Sequence, residues 1–358
     1  MTFLFKFVIL YVSICMKALS QEEHMPPKNQ ITIYDVAKVT GVSITTVSRV
    51  LNASGKVNDV TRRRIMEAID TLGFVPKAEA RARALRAAGR IGVLSPFFTA
   101  PSFVQRLRGI SAALSDTQHE LIIYTVESLD HLQSFLLSLP LTGNLNGLII
   151  LSMEVDQAAV CRLRDHNLKT VLVEYPVESL SGVVINDEAG GEMAATLLLD
   201  KGHQHFAFIG VDRSPDYAHK PIAQRYKGFR ETITKAGLTL NKEMVIQAPY
   251  TMEDTYALSR DLLTQANRPT AIFAATDLQA FAVLKAARDL QISIPNDLAV
   301  IGFDDLDMAS YLGLTTIRQH LDESGRIAVE LLLADLAEPD RLPRHVELPL
   351  QIIEREST

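Results

Sequence analysis

A chain of 358 residues, 47 % hydrophobic and 22 % charged, is long enough for two or three domains and has no low-complexity tract, so it reads as an ordinary folded, soluble protein. Its net charge of −6 hides a segregation. Between Lys28 and Arg90, 12 Lys and Arg stand against 5 acids, and the acidic excess lies in the remainder. That points to a polyanion partner for the basic segment alone. Two cysteines, Cys15 and Cys161, exclude a disulfide framework, and neither has a CxxC or Cys/His neighbourhood. A reducing compartment is expected.

In chain order, residues 1–24 come first, with one early Lys6 and an apolar run from Phe7 to Met16. This is either an over-called start ahead of Met25, the reading adopted here, or a weak signal peptide. From Thr32 to Leu72 the pattern predicts three short helices. Thr32 can cap the first, with Asp35 closing a capping box, and Ile33, Val36, Ala37 and Thr40 share one face. Gly41 breaks it. Ser43 can cap a second helix that turns Val47, Val50 and Leu51 inward and leaves Thr45, Arg49 and Asn52 outside. Asn58 can cap a third, with Val60, Ile65, Ala68, Ile69 and Leu72 as its buried stripe. Two helices around a Gly-containing turn, the second with a polar outer face, form a helix-turn-helix over residues 30–75.

An Ala/Arg-rich linker, residues 76–90, follows. From Ile91 the grammar changes to short aliphatic runs alternating with amphipathic helices: "IGVLS", "LIIYTV", "GLIILS", "TVLVE", "FAFIG", "AIFAAT" and "LAVIGFDD". Such runs are buried parallel strands of βαβ units. Two sets, before and after about Ile185, predict two similar lobes with a ligand cleft between them. Lobe 1 is expected to hold residues 91–186 and 318–340, and lobe 2 residues 187–317 and 341–358.

The motifs "TIYDVAKVTGVSITTVSRVLN", "VTRRRIMEAIDTLGFVP", "DKGHQHFAFIG", "QRYKGF", "PTAIFAATD", "IPNDLAVIGFDD" and "LTTIRQ" occur in this order. Together they resemble the LacI/GalR family of bacterial transcription regulators from about Ile31 to Thr358. The resemblance implies an N-terminal three-helix helix-turn-helix head on an α/β bilobal periplasmic-binding-protein-like core, two doubly wound parallel-sheet lobes. It also implies a cytoplasmic homodimer, or a tetramer, whose head binds a near-palindromic operator and whose core binds a small effector such as a sugar or nucleoside. No cofactor and no metal are implied.

In the major groove Arg49 can offer a bidentate fork to guanine, Thr45 can reach a base edge, and Ile44 can touch a thymine methyl. Thr46, Ser48, Asn52 and the helix starts at Thr32 and Ser43 suit phosphate contacts. The alternatives are a surface salt bridge for Arg49 and packing on the first helix for Ile44. In the family the linker folds into a hinge helix on DNA, and a leucine pair wedges into the minor groove. Leu85, flanked by Arg83 and Arg86, is the candidate here, although the spacing from Pro76 is about two residues long and Glu79 adds an acid. A flexible tether is the alternative. The family's effector positions map onto Arg225, which holds a polar group of the ligand, and Asp277, which accepts hydroxyls or amines, with an interlobe salt bridge as the alternative for both. Phe103 and Tyr250 map onto its aromatic faces, with core packing as the alternative for both. Phe97 and Phe98 are expected to make the first loop's wall apolar.

An enzyme is not expected, since no GxSxG, P-loop, HExxH or GxGxxG stands at a strand-to-helix turn. His203 in "GHQHF" matches an ordinary structural position. The rival reading is an exported sugar-binding protein with the same bilobal core.

Overall fold

The computed structural model describes residues 31–51, 57–74, 89–210, 215–248 and 251–358. The chain divides into two units, residues 1–87 and 88–358.

In the first unit, α1 (Ile33–Thr40), α2 (Ile44–Leu51) and α3 (Asp59–Leu72) close around Val36, Ala37, Val47, Val50, Ile65, Ala68 and Phe74. The Asp35 carboxylate accepts the Thr32 amide at 2.8 Å and the Thr32 hydroxyl at 2.7 Å, which fixes the start of α1. Gly41, at φ 65°, ends α1 in the left-handed region, where a side chain would be strained. Ser43 Oγ accepts the Thr46 amide at 3.2 Å, and Asn58 Oδ1 accepts the Val60 amide at 2.9 Å. Val60 departs from the expected stripe. It is 67 % exposed, because the first turn of α3 precedes the register that carries Ile65 and Ala68 inward.

The second unit holds two six-stranded sheets. Lobe 1 contains β1 (Arg90–Ser95), β2 (Glu120–Thr125), β3 (Gly147–Leu151), β4 (Lys169–Val173) and β5 (Ser181–Val184). Between them run α4 (Pro101–Leu114), α5 (Leu129–Thr142) and α6 (Gln157–Asp165). Lobe 2 contains β6 (Phe206–Gly210), β7 (Val245–Gln247), β8 (Ala271–Ala274), β9 (Ala299–Asp304) and β10 (Thr315–Arg318). Its helices are α7 (Asp187–Asp200), α8 (Pro221–Lys235), α9 (Met252–Leu263), α10 (Asp277–Asp289) and α11 (Asp307–Tyr311). The last elements are α12 (Leu321–Ala337), β11 (His345–Glu347) and β12 (Gln351–Ile353).

The sheet orders are β11-β5-β4-β3-β1-β2 and β12-β10-β9-β8-β6-β7, parallel throughout except for the β10–β12 pair. Central strands such as β3, β8 and β9 are buried at every residue, as strands covered by helices on both faces must be. The chain passes between lobes after β5, after β10 and after β11. One expectation is corrected here: His345–Glu347 belongs to lobe 1, not lobe 2. It pairs in parallel with Gly182–Val184, and Leu348 N–H donates to the Val184 carbonyl at 2.9 Å, so the open edge of β5 recruits it. In lobe 2, α7 and α8 cross so closely that a Cβ at Gly191 would lie 1.9 Å from the Arg225 carbonyl oxygen, and one at Gly228 1.9 Å from that of Glu188. Only glycine admits that approach.

Candidate functional sites

On the head, Val47 and Val50 are buried while Thr45 and Arg49 are exposed, so α2 carries one apolar and one polar face. Ile44 is 39 % exposed on the same outer side. Thr46 and Ser43 share a hydroxyl contact of 2.9 Å at the helix start, and Ser48 is half-buried. Asn52, Arg83, Leu85 and Arg86 lie outside the described residues, as do Tyr250 and residues 1–24.

On the core, a cavity of about 150 Å³ lies between the lobes at the carboxyl ends of the strands. Lobe 1 contributes Phe97, Phe103, Arg106, Ser152 and Glu174, and lobe 2 contributes His219, Ile222, Arg225 and Asp304; Gln319, on the crossover after β10, completes it. Phe97 and Phe103 meet edge to face, with ring centroids 5.7 Å apart. Phe98 instead turns outward and is 43 % exposed, so the apolar wall rests on Phe97.

The polar groups come in paired sets. Arg106 is only 2 % exposed although it sits on a helix. It donates from Nη2 to Glu174 at 2.5 Å and from Nε to Ser324 Oγ at 2.9 Å. The Ser152 hydroxyl donates to the other oxygen of Glu174. Burial pushes the Glu174 carboxyl up, but Arg106 and the Ser152 hydroxyl outweigh it and leave the carboxyl below its ordinary range. Arg225 donates from Nε to Asp187 at 2.8 Å and from Nη1 to the Ala275 carbonyl at 2.7 Å, and its guanidinium carbon lies 3.5 Å from the Phe303 ring centroid. Gln319 Nε2 donates to Asp304, while Gln319 Oε1 is buried with no partner among the described residues. Burial pushes Asp304 up to about 6, against the pull of Arg225 and Gln319. Ser152, Glu174 and Asp304 all have φ between 50° and 126°, so three non-glycine residues of one cavity wall sit in strained backbone.

Arg225 and Phe103 both line this cavity, Phe103 as part of the lobe 1 core as well. Asp277 does not. It is fully buried beneath the cavity, accepting the Leu306 amide at 2.7 Å on one oxygen and the Thr316 hydroxyl at 2.5 Å on the other. Thr276 caps α10 and turns the following carboxylate down into the sheet. Burial and the nearby Asp304 carboxylate raise its pKa to about 8. The carboxylates that line the cavity are Glu174 and Asp304. Both end strands quoted from the sequence, "TVLVE" and "GFDD", and Gln319 ends "TTIRQ", so a polar residue closing a buried strand was the available signal. Arg106 had none, because a helical arginine ordinarily faces water. His203 Nδ1 lies 3.2 Å from Thr270 Oγ1, a helix-to-strand contact remote from the cavity.

A second pocket, about 350 Å³, lies on lobe 1 around Arg164, Lys169 and Leu342. It is larger, but all its walls belong to one lobe. The interlobe cavity concentrates the buried charges and the strained backbone, and it alone of the two joins the lobes.

A helix-turn-helix unit together with a bilobal core holding a polar interlobe cavity defines a DNA-binding regulator that answers to a small molecule. Residues 32–77 match the model for bacterial regulatory proteins of the lacI family, and residues 195–358 match that for a periplasmic binding protein-like domain. The chain is 30 % identical to catabolite control protein A of Priestia megaterium over 92 % of its own length and 99 % of that protein's. It is 28 % identical to the ribose operon repressor of Escherichia coli K12, covering 91 % of this chain and 99 % of that one. Among solved structures, the transcriptional regulator CelR in complex with cellobiose superposes with a TM-score of 0.66 at 28 % identity, over 92 % of this chain and 100 % of that one. The chain belongs to the lacI family of bacterial regulatory proteins. The match of the head to that family's DNA-binding domain sets aside the exported-binder reading. Among the described residues no helix is long and apolar enough to cross a membrane.

Proposed function

We propose that this chain is a cytoplasmic, non-catalytic repressor that binds a near-palindromic operator as a homodimer and is controlled by a neutral, hydroxyl-rich, single-ring effector. On the head, Arg49 and Thr45 read base edges and Ile44 meets a thymine methyl, while Thr32, Ser43, Thr46, Ser48 and Asn52 set register on phosphates. Leu85, between Arg83 and Arg86, is the minor-groove wedge of the linker. The exposure of Thr45 and Arg49 on one face of α2 supports this assignment.

The observation that carries the effector class is the composition of the interlobe cavity. The edge-to-face pair Phe97–Phe103 suits the apolar face of a ring, and a volume of about 150 Å³ suits one ring rather than two. Two arginines, Arg106 and Arg225, are already engaged by Glu174 and Asp187, and Asp304 adds a third carboxylate, so the cavity offers no surplus positive charge to a phosphate. Hydroxyls can satisfy the open Gln319 Oε1 and share Glu174 and Asp304. The names of two relatives, a ribose operon repressor and a regulator bound to cellobiose, support a carbohydrate.

The test is titration calorimetry with pentoses, hexoses, nucleosides and their phosphates, paired with anisotropy on duplexes from its own upstream region. A neutral monosaccharide should bind in preference to the two-ring nucleosides, lose at least tenfold on Arg225→Ala, and change operator affinity. Preferential binding of a phosphorylated member would refute the charge argument.

A further inference from the structure

Between β6 and α8, lobe 2 sends a short segment, Pro215–Lys220, across to lobe 1. His219 N–H donates to the Ser152 carbonyl at 2.8 Å, Glu154 N–H donates to the Tyr217 carbonyl at 3.3 Å, and Met153 and Ala218 form an antiparallel bridge. Tyr217 (7 % exposed) and Ala218 (1 %) are counted into the apolar core of lobe 1 with Leu94, Leu148, Ile150 and Met153. A loop of one lobe thus fills a slot in the core of the other. The same segment walls the cavity, since His219 lines it and packs edge to face on Tyr175 at 5.8 Å.

The geometry points to this segment as a strap that gates the interlobe cavity and reports its occupancy. The inference rests on the reading of that cavity as the effector site. Ser152 is the pivot. Its carbonyl holds the strap through His219, and its hydroxyl donates to Glu174, a carboxylate of the cavity wall. An effector hydroxyl that takes over Glu174 competes for the group that orients Ser152, so occupancy and strap seating share one residue. Ser152 at φ 50° and Glu174 at φ 74° are both held in left-handed backbone, a conformation that persists where surrounding contacts over-determine it. With the strap seated, lobe 1 and lobe 2 are joined by side-chain burial and by backbone hydrogen bonds. Lifting the strap would widen the mouth of the cavity at His219 and remove one tie between the lobes, leaving the bonds of Gln105 and Arg108 to Asp307 and the chain crossovers in place. Opening of the strap is a local event, cheaper than unfolding either sheet, because only the seating of Tyr217 and Ala218, the His219–Tyr175 ring contact and two backbone hydrogen bonds are lost.

The chain contains no tryptophan, so Tyr217→Trp in the full-length protein places a single indole at the strap. Its emission should be blue-shifted and poorly quenched by acrylamide. Adding Ala218→Asp, which sets a charge in the apolar slot, should raise the quenching constant at least threefold while the melting temperature of the core stays within about 3 °C. Ser152→Ala, which keeps the carbonyl but removes the hydroxyl, should raise quenching about twofold. Hydrogen exchange on the wild-type chain gives an independent readout, in which the amides of Glu154 and His219 should exchange at least tenfold faster than those of Ile149 and Ile150 in β3. Quenching that stays low in the Ala218→Asp protein, or that rises only together with collapse of the core melt, overturns the gate. Exchange at His219 as slow as in β3 does the same. Unchanged quenching in Ser152→Ala overturns the link to the cavity. None of these readouts requires the effector or DNA, so the operator and calorimetric tests above can fail independently of them.

Discussion

Asp277→Asn isolates one buried carboxyl whose ionisation the folded core resists. In the native core Asp277 is fully buried, and its pKa is raised from 3.8 to about 8, first by burial and then by the charge of Asp304. Between those values the folded chain holds a proton that the unfolded chain releases, so stability falls as pH rises through the window from about 4 to about 8. Each pH unit inside the window costs up to about 1.4 kcal/mol, so the difference accumulated between pH 5 and pH 7 is on the order of 2–3 kcal/mol. An asparagine is isosteric. Its Oδ1 can keep the Leu306 amide, its Nδ2 can donate to the Thr316 hydroxyl, and Gly302, whose added Cβ would lie 2.3 Å from Asp277 Oδ1, still leaves room. The assay is thermal unfolding of wild type and variant followed by circular dichroism at pH 5, 6, 7 and 8. The variant should gain on the wild type with each step, by about 5–10 °C in relative midpoint from pH 5 to pH 7. Parallel pH profiles would refute the reasoning, because they would mean that Asp277 is ionised in the folded core.

Glu174→Gln leaves Arg106 buried without its counter-ion and should lower core stability by about 3–5 kcal/mol at pH 7, read from urea unfolding. Because the Glu174 pKa is lowered, its contribution is present above the ordinary glutamate value and lost as pH falls below it, so the gap between wild type and variant should close in acid. Arg49→Ala should reduce discrimination between operator and scrambled duplex by about 1–3 kcal/mol in anisotropy titrations, whereas an equal loss on both would reassign Arg49 to the phosphates. Gly191→Ala sets a methyl against the Arg225 carbonyl and should cost about 3 kcal/mol or more, with a melting midpoint indistinguishable from wild type counting against the helix crossing. Asp307→Asn removes an exposed partner of Arg108, and being solvent-screened it should change stability by less than about 1 kcal/mol in the same assay.

Much of this protein was legible along the chain because the signals were local. Capping at Thr32, Ser43 and Asn58, the left-handed Gly41, and the 3.6-residue stripe of the head need only neighbouring residues to be read. The aliphatic runs that became β1, β3, β4, β6, β8 and β9 declared themselves because a strand covered on both faces has no polar position to interrupt it. Arg225 and Phe103, singled out through resemblance, line the interlobe cavity. Tertiary structure alone decided the rest. The short strands β5, β7, β11 and β12 have no sustained aliphatic run to mark them, and β11 joined lobe 1 because an open sheet edge stood there. Asp277 and Asp304 are both aspartates at strand or helix ends, and their tertiary partners separate them: the Leu306 amide and the Thr316 hydroxyl hold Asp277 beneath the cavity, while Asp304 stands in its wall with Gln319. Arg106 is buried on a helix that local pattern would leave in water, because Glu174, 68 residues away, and Ser324, 218 residues away, meet it there. A chain encodes each residue's options within a few neighbours, but burial and charge pairing depend on distances that exist only once the sheets have closed.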